Sequence, residues 1–447
     1  MKHLNIFAFL ILLSLLAACG RTDSGTHAAE EYGTSEEEAH YTPDYTPIPY
    51  DSPLHDVFTS GRTRGEYLED LDFLYTTLLE NYPFFGAVLR SYGVDLHTRY
   101  LETREHIETR NDFPSDEHFA ATLNNFFIRN AQHIGHLSIL DSDSLLHHIH
   151  SFSHGVELGS IYLQPFLDEL NNPATRALHG LTDADFIPPP YGVESAVFAA
   201  TSDNIHTYII EEGRIAYVSI FAMSYATMEI DRVTLLDFFY QVTNYDHLII
   251  DIRQNSGGGG PYFLDLVMSP NISYPLTFRN YVFLMGGEHS RRILGAWFDA
   301  EDFVRPINHD VIARMPYFHP DDVHMLNYYL RGYSYIEPSH DTGIFSGKIW
   351  LLVGPWNFSA AEFALAVAKQ TGFATLVGLP TGGGGLGLQP LLLALPNTGI
   401  VVRYAAGYGV GEYGRESYEH GTQPHYLNRP GMDALETVLA MIEEGSY

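Results

Sequence analysis

Lys348-Ile-Trp-Leu-Leu-Val-Gly-Pro-Trp-Asn-Phe-Ser-Ala-Ala-Glu-Phe-Ala-Leu-Ala-Val-Ala-Lys369 passes from one hydrophobic period to another. Residues 349–353 are a continuous apolar run, which predicts a buried strand ending at Val353. Gly354-Pro355 breaks it, and Ser359 opens an amphipathic segment, 359–370, that predicts a helix. The first N–H groups of a helix lack partners within it, and its dipole favours negative charge there. On this stretch alone Ser359 reads as an N-cap. The same place also suits a hydroxyl that must carry developing charge.

The alternation repeats outward. Strands are expected at 214–221, 247–252 and 374–378, with a helix at 228–243. Strand and helix in turn predict an α/β (α+β) chain, a mixed sheet with helices packed on it. Ligands in such sheets gather beyond the carboxyl ends of the strands. A second such end is Leu248-Ile-Ile-Asp-Ile-Arg-Gln-Asn-Ser-Gly-Gly-Gly-Gly260. Its glycines let the backbone approach a ligand and turn N–H groups toward it. The Gly-x-x-x-x-Gly-Lys-Ser/Thr phosphate loop is absent.

Together the two motifs resemble the serine peptidases that include the C-terminal-processing (tail-specific) proteases and the core of tricorn protease. The matching residues are Asp251-Ile-Arg253-Gln-Asn255-Ser-Gly257-Gly258, Ser359-Ala360-Ala361-Glu362 and Val377-Gly378-Leu-Pro-Thr381, with Arg214–Phe221 as the opening strand. The resemblance implies a ClpP/crotonase-like core preceded by a small helical domain. It also implies Ser359 as nucleophile, with the N–H groups of Gly257 and Ala360 as oxyanion donors. The processing proteases carry a base lysine where this chain has Gly384. The remaining lysines, Lys2, Lys348 and Lys369, offer no substitute; Lys369 is about 15 Å along the helix from Ser359. The tricorn-like branch uses histidine, and Gln132-His133-Ile-Gly135-His136-Leu-Ser138 resembles its histidine segment. His136 is therefore expected as general base. In the tail, Glu419-His-Gly421-Thr-Gln-Pro424-His425 matches the family's glutamate, glycine and proline. Glu419 is expected to support the base, with Glu416 as second choice. No metal or organic cofactor is implied.

The rest of the chain fits an exported enzyme. Lys2 precedes an apolar run from Leu4 to Leu16 that is too short to span a bilayer securely. The run ends Leu16-Ala17-Ala18-Cys19, a lipobox-like site at the chain's single cysteine, so residues 1–19 read as a lipoprotein signal peptide. Lipid on Cys19 would hold the protein on the extracytoplasmic face of a bacterial membrane. Residues 20–55 read as an acidic, disordered tether. The net charge of −31 argues against nucleic acid as a partner.

Beyond the tether, 56–140 reads as a helical domain and 141–211 as a linking region without an evident PDZ pattern. The peptidase core is expected at 212–447, with an aromatic insert at about 270–345. His147, His150 and His154 share a helical face, but a metal site lacks the usual patterns there. The function expected is a membrane-tethered serine endopeptidase acting on peptide or unfolded protein. A catalytically inactive ligand- or peptide-binding protein, or an esterase, on the same scaffold are the alternatives.

Overall fold

The apolar runs of the sequence become the inner strands of a six-stranded sheet. Its members are β2 (Ile205–Glu211), β3 (Ile215–Ile220), β4 (His247–Asp251), β8 (Lys348–Val353), β9 (Thr375–Gly378) and β13 (Tyr426–Leu427). The computed structural model describes residues 57–188, 204–225, 227–300, 303–339, 343–411 and 413–447. The leader, Cys19 and the tether lie outside the described residues. The strand order is β13-β9-β8-β4-β3-β2. All neighbours are parallel except β2, which runs antiparallel to β3 at one edge. Parallel strands need both faces covered, which is why these segments are apolar without alternation.

Period-two geometry divides the strand residues between two cores. Ala216, Val218, Leu248, Ile250, Leu351 and Val353 face the helices α8 (Met228–Gln241) and α9 (Ala360–Thr371). Ile215, Tyr217, Ile249, Trp350 and Leu352 face α10 (Ala434–Glu444). Each fully buried Leu, Ile or Val contributes about 1.5–3 kcal/mol. The capping box Asp433–Glu436 starts α10, and Gly372 in the left-handed region ends α9.

The helices that precede the sheet are α1 (Arg64–Asn81), α2 (Phe85–Tyr92), α3 (Leu96–Thr109) and α4 (Asp116–Phe126). Leu68, Leu71, Leu74, Tyr75 and Leu78 recur at the helical period along α1 and are buried together. The described part of the linking region is largely helical: α5 (Ser142–Glu157), α6 (Gln164–Leu170) and α7 (Pro173–His179) precede β2. These helices form no core of their own. They share one with β1 (Ser138–Ile139), β10 (Leu391–Ala394), β11 (Val401–Tyr404) and β12 (Gly407–Val410), and with parts of the insert.

Strands β1, β11 and β10 form an antiparallel three-stranded sheet. The insert supplies β5 (Leu276–Leu284), β6 (Arg305–Pro306) and β7 (Tyr328–Ile336), which join β12 in a second antiparallel sheet. Arg292 of the insert pairs with Glu169 of α6 at 2.6 Å, and Trp297 packs on Phe303 and Tyr162. No described helix is long and apolar enough to cross a membrane.

Candidate active site

The two strand ends meet. Asn357, buried, donates from Nδ2 to the carbonyls of Ile252 and Asn255, and its Oδ1 accepts from the Gly354 N–H at 2.8 Å. Asn255, also buried, donates to the Ile220 carbonyl at 3.1 Å. Two asparagines thus clamp the loops after β3, β4 and β8 into one unit.

Ser359 sits on a strained turn, at φ 54° and ψ −122°. A side chain in this region costs about 1–3 kcal/mol and persists only where its surroundings enforce it. Its N–H donates to the Gly383 carbonyl at 3.1 Å, and its carbonyl accepts from Phe363 at 2.9 Å. Ser359 therefore precedes α9 as expected, but its hydroxyl does not cap the helix. The oxygen is turned to another partner: His136 Nε2, 3.2 Å away.

His136 is itself in the left-handed region, at φ 55°. It follows Gly135, where a side chain would strike the rings of Tyr82 and Phe84. The imidazole is buried and packs on Phe358 and, edge-on, on Tyr418. Burial, then the charges of Arg403 and His133, pulls its pKa down to about 3. The ring is accordingly neutral, the form that can accept a proton.

Nδ1 of His136 is hydrogen-bonded to the hydroxyl of Tyr418, not to a carboxylate. Tyr418 lies on the short helix Ser417–His420. Glu419, expected at the base, binds Arg90 instead, with Oε1 3.0 Å from Nε and Oε2 2.9 Å from Nη2. Successive helical residues point about 100° apart. Once Tyr418 faces His136, Glu419 must face elsewhere. Arg90 also holds the buried Asp322 of the insert at 2.7 Å, so Glu419 belongs to a tie between α2, the insert and the tail.

Glu416, the second choice, caps the short helix. Its Oε1 accepts from the Tyr418 N–H at 2.8 Å and its Oε2 from the Glu419 N–H at 2.7 Å. It fixes Tyr418 without touching His136. The sequence offers little signal for Tyr418, one of 30 tyrosines.

The glycine in the lysine's place has a steric cause. At Gly384, with φ 77°, a Cβ would lie 2.7 Å from the rings of both Phe358 and Tyr418. The rings that seat His136 fill the space a lysine would need. Lys369 donates to the Gln423 carbonyl and Lys348 lies over Trp350, so neither reaches Ser359. Gly384→Ala is expected to lower stability by about 2–4 kcal/mol in chemical denaturation, through strain and overpacking. Gly384→Lys should not restore activity to His136→Ala.

Gly257 lies against the Ser359 turn, where a Cβ would sit 2.8 Å from the Phe358 carbonyl and 2.9 Å from the Ala360 nitrogen. Its N–H, expected as an oxyanion donor, is given to Asn255 Oδ1 at 2.9 Å. The parallel bridge between Met223 and Gly258 uses the Gly257 carbonyl and the Gly259 N–H, leaving the Gly258 N–H out of that pairing. Ala360 is the first residue of α9, so its N–H has no carbonyl to meet one turn back.

Glu362, the acid of the Ser359-Ala-Ala-Glu motif, is buried. It accepts from the hydroxyls of Thr381 and Thr422 and so fastens the glycine segment and the tail to α9. Burial raises its pKa from 4.5 to about 7. A raised folded pKa means that its stabilising contribution is complete below pH 4.5 and is lost as pH rises through about 7. Buried His136 and His289 and half-buried His148, with lowered pKa, change stability in the opposite sense below 6.5. The difference between Glu362→Gln and wild type isolates the acid. The variant should gain on the wild type by on the order of 3 kcal/mol between pH 5 and 8, measured by urea unfolding.

Among the described residues, no cluster of three or more His, Cys, Asp or Glu side chains is placed to hold a metal. The site is a serine, a neutral histidine and backbone N–H groups at a helix start.

Comparison with known proteins agrees with this chemistry. Residues 214–427 match the family model of peptidase family S41. No curated protein sequence matches the chain. Mature CPAF, solved in complex with lactacystin, superposes with a TM-score of 0.51 at 15% identity, over 86% of this chain and 97% of that one. A peptidase candidate from Parabacteroides merdae ATCC 43184 gives a TM-score of 0.49 at 17% identity, over 85% and 97%. Tricorn protease gives a TM-score of 0.27 at 18% identity, over 52% of this chain and 18% of its own. The CPAF likeness is one of fold. His136 lies upstream of the family match, while Ser359, both asparagine clamps and Tyr418 lie within it. Over residues 214–427 the chain matches peptidase family S41, and it is a serine-type peptidase.

Proposed function

We propose that the protein is an endopeptidase working through an acyl-enzyme on Ser359, with His136 as base and Tyr418 as its support. The observation that carries the reading is the 3.2 Å approach of His136 Nε2 to Ser359 Oγ. In the first step the Ser359 oxygen attacks the peptide carbonyl while Nε2 takes its proton. That role requires the hydrogen of the neutral ring on Nδ1, from which it is donated to the Tyr418 oxygen. The tetrahedral oxyanion is held by the Ala360 N–H and by the Gly258 N–H, which the pairing with Met223 leaves out. The imidazolium then gives its proton to the departing amine, leaving the acyl chain on Ser359. Water, deprotonated by His136, releases the acid and restores the serine.

Burial keeps Tyr418 protonated by holding its pKa well above the ordinary 10. A neutral phenol stabilises an imidazolium less than a carboxylate does. With Arg403 and His133 adding positive charge, the acid limb of kcat/KM is expected well below pH 6, toward the value of about 3. An acid limb at 6.5–7 would contradict it.

The membrane tether is part of the same proposal. It is supported by the apolar run 4–16 and by Cys19 after two alanines.

The acyl-enzyme is tested by acid-quenching the protein during turnover of a peptide mixture. An acyl adduct mapping to Ser359 in the intact-mass spectrum is expected. Cleavage that persists in Ser359→Ala would overturn the proposal.

A further inference from the structure

A cation beside the base has no acid to answer it among the described residues. Arg403 lies on β11, opposite Ser138 of β1 and Leu392 of β10. Two residues on, Ala405 donates its N–H to the Gly135 carbonyl at 2.6 Å, so this stretch runs alongside the segment that carries His136. The guanidinium lies within electrostatic reach of His136, His148 and Tyr418. Its Nε is sealed from solvent without a hydrogen-bond partner, and so is Nε2 of His148 on α5. Arg403 as a whole residue is half-buried.

The chain does not lack acids, with 55 Asp and Glu against 24 Lys and Arg. Other half-buried arginines have found them: Arg90 with Asp322 and Glu419, Arg253 with Asp251 and Asp433. Arg403 makes no ion pair among the described residues. Covering a cation without a counter-charge is costly, and placing it beside the base also disfavours the imidazolium that catalysis must form. Both costs disappear when an anion arrives with the substrate.

Resting on the peptidase reading, we propose that Arg403 is the receptor for a substrate carboxylate close to the scissile bond. The guanidinium offers a planar fork that matches a carboxylate. The carboxylate is either the C-terminus of the peptide or an acidic side chain. Its binding neutralises Arg403 and so aids the proton transfer as well as the docking.

Two peptide pairs test this and separate the sources. One compares a free C-terminal carboxylate with its amide, one to three residues beyond the cleaved bond. The other compares an internal Glu with Gln at the same distance in amide-capped peptides. In one pair the carboxylate member is expected to have a kcat/KM about ten- to a hundredfold higher. Arg403→Gln should bring the ratio to within about twofold, and Arg403→Lys should keep part of it. Binding of the same fluorescein-labelled pentapeptides to Ser359→Ala gives a readout that needs no turnover and should show the same preference. Equal treatment of both members in both pairs overturns the proposal, as does a preference that survives Arg403→Gln. Neither result would touch the reading of Ser359, which is tested by its own acylation.

Discussion

Ser359→Ala is expected to lower kcat for peptide hydrolysis by roughly 10⁶-fold while leaving unfolding stability within about 1 kcal/mol. The stability half of this expectation follows from the turn. Ser359 accepts and donates its structural bonds through its backbone, to Phe363 and Gly383, and the hydroxyl caps nothing. His136→Ala should cost the same order in kcat, because a base without its nucleophile, or the reverse, performs no partial reaction. The double variant should be no worse than either single one. Strict additivity of the two losses would mean that the residues do not act as a unit. Single-turnover kinetics on the three variants, with denaturant melts as controls, decide it.

The second large effect concerns which side chain supports the base. Tyr418→Phe keeps the ring that packs on Phe84 and Phe358 but removes the oxygen bonded to Nδ1. The imidazole then loses the partner that fixes its orientation and tautomer. A fall in kcat of about 10–100-fold is expected, with KM and melting temperature nearly unchanged. Glu419→Gln is expected to do the opposite. It weakens the Arg90 tie, in which Asp322 is fully buried, and so lowers stability with a smaller loss of kcat. If Glu419→Gln proved catalytically worse than Tyr418→Phe, the carboxylate would be the support after all.

This division shows where the sequence speaks and where it stops. The runs Leu248–Asp251 and Ile349–Val353 carry their own structure, because a strand covered on both faces has no other composition open to it. The helix after Ser359 and the glycines after Asn255 are local in the same way. Their meeting depends on Asn357 and Asn255, whose bonds run to backbone atoms about a hundred residues away or in a neighbouring strand loop. No periodicity announces such a bond.

The tail shows a finer limit. Its motif glutamate at 419 is visible, but which face of a four-residue helix turns toward His136 is decided by the cap at Glu416 and by packing on Phe84. One residue of offset exchanges a carboxylate for a phenol. Gly384 reads as a missing lysine in the sequence and as a required space in the structure. Arg403 lies in an ordinary strand, and only the absence of an acid around it among the described residues sets it apart.

The most direct measurement is fluorophosphonate labelling of the protein, with the modified residue located by mass spectrometry. The expected result is a single adduct on Ser359 that is lost in His136→Ala. A folded protein that takes no label from neutral to alkaline pH, or one whose labelling persists without His136, would contradict the central claim.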